Sequence, residues 1–109
     1  MTNIKKETDE EGNIYYTSKH CVYSCDEDDD LDEIAFEGKC FIYEKPDGFF
    51  RQNGYISPTL TNPTYRDIFA LCDDIVETTG DYHHIFFEGV SNFRKINNNL
   101  YQFDVCLGS

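Results

Sequence analysis

At 109 residues the chain has room for one hydrophobic core and no second domain. Twenty-one Asp and Glu against nine Lys and Arg leave a formal charge of −12, a surface that repels phosphate and disfavours direct contact with nucleic acid or an anionic membrane. Apolar residues make up 39% and aromatics 16%, enough bulky side chain to close a core, which excludes global disorder.

The charge is uneven: residues 1–47 hold fourteen acids and five bases, residues 48–109 seven and four. Five cysteines (Cys21, Cys25, Cys40, Cys72, Cys106) form an odd set with no CxxC pair. Met1–Gly12 is polar, without the stretch of about seven apolar residues a secretion signal needs. No run approaches the roughly 18 apolar residues of a membrane span. These features point to a reducing cytosol or nucleus, with the thiols acting as small apolar side chains. Nine Ile and eight Asn against two Ala, three Arg and no Trp match the bias of an AT-rich genome, such as many viruses, phages and some protists have.

In chain order, Met1–Gly12 lacks an apolar pattern and reads as a flexible tail, with residues 13–109 as one domain. Asn13–Ser24 is rich in Tyr, Thr and Val and reads as a strand. Cys25–Glu33 carries seven acids around Leu31 (Asp26, Glu27, Asp28, Asp29, Asp30, Asp32, Glu33) and reads as an exposed loop, since like charges cannot pair with each other. Ile34–Lys45 reads as a strand with a bulge at Gly38. Lys45-Pro46-Asp47-Gly48 is a turn, and Phe49–Gln52 the returning strand. Asn53-Gly54 marks another turn before Tyr55–Ser57.

The helix signal is the strongest. Thr64 and Asp67 have capping-box spacing, and Tyr65, Ile68, Phe69, Cys72, Ile75 and Val76 recur on one stripe through Thr79, with Gly80 placed to end the helix. Beyond it, His83–Ile96 and Leu100–Leu107 read as a hairpin around Asn97-Asn98-Asn99, with a bulge at Glu88-Gly89. The expected fold is therefore α+β: an antiparallel sheet of about five strands in the order β-β-β-α-β-β, with one amphipathic helix packed on one face.

No chemistry-bearing motif emerges. Counting Asp26 as position 1 of a calcium loop puts Asp28, Asp30 and Glu37 at positions 3, 5 and 12. Leu31 then stands where the sharp turn needs Gly, and Glu33 where an apolar residue belongs. His20, Cys21 and Cys25, or His83 and His84, lack the paired spacing of a zinc site. No metal or cofactor is expected. Carboxylates around the cysteines would raise their thiol pKa, against nucleophilic use.

The acids form two expected surfaces: the loop Asp26, Asp28, Asp29, Asp30 and Asp32, and the helix face Asp67, Asp73, Asp74, Glu77 and Asp81. Glu77 and Asp81 sit near the negative end of the helix dipole, each at a cost of roughly a few tenths of a kcal/mol. That cost is either tolerated or offset by a partner's Lys/Arg face. The expected function is a small non-catalytic interaction protein, of the kind a virus or phage uses to occupy a basic, nucleic-acid-binding surface of a partner protein. Two alternatives are a small Cys/His-dependent enzyme or metal-binding module, and a subunit that associates through a sheet edge.

Overall fold

The computed structural model describes residues 4–24, 30–46, 48 and 51–109. Helix α1, Tyr65–Thr79, forms where its period and caps dictate. Thr64 Oγ1 accepts from the Asp67 N–H at 3.2 Å, and the Asp67 carboxylate accepts from the Thr64 N–H at 3.0 Å. Both bonds satisfy donors that the first turn would otherwise leave orphaned. Gly80 ends the helix at φ 79°, a left-handed conformation that costs glycine little, and its N–H bonds the Val76 carbonyl. Ile68, Phe69, Cys72, Ile75 and Val76 are buried and Tyr65 half-buried. Each large buried member of that stripe contributes roughly 1.5–3 kcal/mol.

The described residues also form eight strands: β1 Lys5–Thr8, β2 Ile14–Thr17, β3 Val22–Ser24, β4 Lys39–Glu44, β5 Tyr55–Ile56, β6 Leu60–Thr61, β7 Phe86–Asn97 and β8 Leu100–Gly108. The sheet runs β1-β2-β3-β7-β8-β4-β5, with β6 also paired to β4. The fold is α+β with one helix, but the sheet is mixed rather than antiparallel and larger than the expected five strands. β4 lies parallel to β8, from Lys39↔Leu100 to Ile42↔Phe103, and β3 lies parallel to β7 at Val22↔Phe86. Parallel neighbours need long crossovers, and α1 lies within both.

Several segments differ from their reading in sequence. Lys5–Thr8, within the stretch read as a tail, is a strand paired along its length with β2 although all four residues are exposed. Its turn is held by Asp9, whose Oδ1 accepts from the Glu11 and Asn13 N–H groups. Asn13–Ser24 is two strands, broken at residues 18–21. Within Ile34–Lys45 only Lys39–Glu44 is a strand; Gly38, at φ 120°, turns the chain ahead of it, and Ile34 is exposed in an isolated bridge to Thr64. Arg51 and Gln52 are not in a strand, and β4 is paired by β5 and β6 instead. Phe49 and Phe50 lie outside the described residues. The β7–β8 hairpin forms as expected, with a register shift between Phe87 and Gly89 at the expected bulge and two further shifts nearer the tip.

The core gathers the helix stripe with Tyr16, Cys21, Leu31, Cys40, Ile42, Tyr55, Phe87, Phe103 and Val105. Leu31 corrects the exposed-loop reading at its C-terminal end. It is fully buried, within a single 3-10 turn, Asp30–Asp32, that contacts α1. Among the described residues no helix is long and apolar enough to cross a membrane.

Candidate functional site

The ten acids singled out above divide into groups with different physical roles. Asp26, Asp28 and Asp29 lie outside the described residues, and Asp30 opens the 3-10 turn that Leu31 anchors. Asp32 is exposed and engages Arg66, with Nε 3.0 Å from Oδ1. The Glu33 carbonyl accepts from the Tyr65 N–H, which fixes this acidic turn against the first turn of α1. Asp67 is exposed and belongs to the capping box, where negative charge complements the helix dipole. Asp74 is exposed, two turns further along the same side.

Asp73 does not belong to the outer face. It is only 2% exposed, and its carboxylate accepts three hydrogen bonds from the chain between β2 and β3. Oδ1 takes the Ser18 hydroxyl and the His20 N–H, each at 2.8 Å, and Oδ2 takes the Lys19 N–H at 3.0 Å. This carboxylate breaks the long strand read over Asn13–Ser24 and ties the resulting bend to the helix. Asp81 is likewise buried. It accepts from the His83 and His84 N–H groups, and its Oδ2 lies 2.8 Å from His84 Nδ1 and 3.6 Å from Arg51 Nε. Burial pushes the Asp81 carboxyl upward, but the bonds from the His84 ring and the His83 and His84 backbone outweigh it and hold the group below its ordinary value.

Glu77 remains on the surface, yet it too has local partners: Lys19 Nζ at 3.0 Å and His20 Nε2 at 3.1 Å. Bonds from His20 and Lys19 lower its pKa. The acids near the C-terminal end of α1 therefore have ordinary structural partners, and the dipole cost read from sequence is met inside the molecule.

A second charged cluster has little sequence signal. Glu44 continues the inward positions of β4 after Cys40 and Ile42, and it is buried. Its Oε2 lies 2.6 Å from Arg51 Nη1, and its Oε1 accepts the Val105 N–H at 2.8 Å. Alternation along β4 places Glu44 in the core; Arg51, its partner, carries no local mark. Arg51 bridges Glu44 and Asp81, linking β4, the loop beyond it and the chain after α1.

Three of the cysteines act as core residues. Cys21, Cys40 and Cys72 are buried and Cys106 half-buried, all as free thiols, while Cys25 lies outside the described residues. Burial, reinforced by Asp73, pushes Cys21 up to about 12; burial takes Cys40 to about 11 and Cys72 well above its usual value. These three thiols are poor nucleophiles at neutral pH. Among the described residues no three His, Cys, Asp or Glu side chains come together as metal ligands. Compared with protein-family models, with curated proteins and with solved structures, the chain matches none of them.

Proposed function

We propose that the protein is a non-catalytic interaction module whose acidic surface docks against a basic surface of a partner protein, of the kind that normally contacts nucleic acid. The observation that carries this reading is the burial of Leu31. The one apolar residue of the acidic run plugs into the core and holds Asp32 and Glu33 at a defined place beside the N-terminus of α1, near Asp67. Charges held on a rigid body give up less conformational entropy on docking than charges on a loose loop. With Asp73 and Asp81 committed inside the molecule, the docking surface reduces to Asp32, Glu33, Asp67 and Asp74, with Glu77 at its margin. Asp26, Asp28 and Asp29 extend the same run in sequence.

The test is a charge reversal that spares structural acids. Asp32, Glu33 and Asp74 are exposed, so the triple Lys variant is expected to fold. The wild-type chain is used to capture a partner at low salt and to release it as salt rises, because exposed charges are screened beyond about 10 Å at 0.1 M. The triple variant should lose most of its affinity for that same purified partner. A partner held equally by both proteins, at low and high salt alike, overturns the proposal.

A further inference from the structure

Strand alternation turns Tyr43 of β4 and Gln102, Asp104 and Cys106 of β8 away from the helix while Ile42, Glu44, Phe103 and Val105 face inward. On that outer face, between β4 and the bulged part of β7, lies a depression of about 390 Å3. This is within the roughly 300–1,000 Å3 range of small-molecule sites. Its charge opposes that of the molecule. Three of the nine basic residues, Lys45, Arg51 and Arg94, line it, against the carboxylates Glu44 and Asp104. Glu44 is neutralised by Arg51 and the Val105 N–H. Lys45 and Arg94 are exposed, and Gln102 faces Arg94 in register across the hairpin. Asp104 accepts one bond from Asn92 Nδ2 at 2.9 Å, and a carboxylate has room for more.

We propose that this depression binds a small hydroxylated anion of the sugar-phosphate class. Arg94 and Lys45 supply charge-assisted donors to the phosphate, Asp104 accepts from the sugar hydroxyls, and Gln102 is an amide that can do either. The net charge of the chain does not prevent this. Arg51 is shared between Glu44 and Asp81, which leaves Lys45 and Arg94 as the cations open to a ligand, and acids farther off are screened beyond about 8 Å at physiological salt. The site is separate from the acidic docking surface and stands whether or not that reading holds.

The experiment is an amide NMR titration of the full chain with ribose phosphate and, separately, with inorganic phosphate. Ribose phosphate should give saturable shifts centred on Tyr43, Arg94, Gln102 and Asp104, and inorganic phosphate should bind the same place more weakly. Arg94→Ala, at an exposed position, should weaken both by about ten-fold or more. Asp104→Ala, which removes the acceptor outright, should keep inorganic phosphate but abolish the preference for the sugar. Absence of saturable shifts in the depression overturns the proposal, as does unchanged affinity in Arg94→Ala. Inorganic phosphate binding as tightly as ribose phosphate overturns the sugar-phosphate assignment.

Discussion

Replacing Asp73 by alanine separates a structural carboxylate from a surface one. The substitution removes the acceptor of the Lys19 and His20 N–H groups and of the Ser18 hydroxyl. Ser18 Oγ also lies 3.4 Å from the Cys21 carbonyl, so it retains a partner and its share of the loss is small. Bonds to a charged acceptor contribute about 1.5–3 kcal/mol each. Lys19 is exposed, so water offsets part of its loss, and the whole change should cost about 2–4 kcal/mol. For a domain near 100 residues, each kcal/mol moves Tm by roughly 4–8 °C, so Tm should fall by about 8–32 °C. Asp73→Asn is a finer probe. Its carbonyl oxygen, placed at Oδ1, keeps the Ser18 and His20 bonds, while its amide faces the Lys19 N–H; the cost should be about 1–2 kcal/mol. Asp74→Ala, one residue away and exposed, should stay within about 0.5 kcal/mol. Thermal and urea unfolding of the three variants decides the matter. If Asp73→Ala matches the wild type, or if Asp74→Ala costs as much, the tie between helix and bend is not what holds this region.

Phe69→Ala or Ile75→Ala, both at fully buried positions, should each cost about 2–5 kcal/mol in urea melts through lost burial and a cavity. Leu31→Ala should cost a similar amount, with faster hydrogen exchange in the Asp30–Asp32 turn; a neutral result would remove the anchor on which the docking proposal rests. Glu44→Ala removes the acceptor of the Val105 N–H and one of the two carboxylates that Arg51 bridges, and should cost about 2–4 kcal/mol by the same melts. Because the folded-state pKa of Asp81 is depressed, its contribution is complete above the unfolded carboxylate value of about 3.9 and is lost as pH falls through the lower folded value. The Tm gap between wild type and Asp81→Asn should shrink as pH falls below about 4; a gap that widens there contradicts the sign.

Asp73 and Asp81 show why the candidate site was only partly legible in the chain. On a helical wheel Asp73 lies beside Phe69 and Val76, at the margin of the apolar stripe, where a carboxylate reads as solvent-facing. What brings it inside is a bend 53–55 residues earlier whose N–H groups point at it. Nothing near Asp73 in sequence encodes that bend. Leu31 is the converse: one apolar residue among seven acids has no period to place it, and only a vacancy beside the helix gives it a home.

Features that depend on neighbours a few residues apart could be read directly from the chain. The capping box at Thr64 and Asp67, the stripe from Ile68 to Val76, the stop at Gly80 and the β7–β8 hairpin arise from bonds and periodicities that act within about a turn or across one tight loop. The composition likewise carried the acidity of the chain and enough bulky apolar side chain to close a core. Tertiary structure alone decided the parallel pairing of β4 with β8 and of β3 with β7, the recruitment of Lys5–Thr8 as an edge strand, and the burial of Glu44 against Arg51. The reason is common to all of them. A backbone edge or a buried carboxylate accepts any partner of the right chemistry, and which segment arrives is set by how the whole chain closes its core.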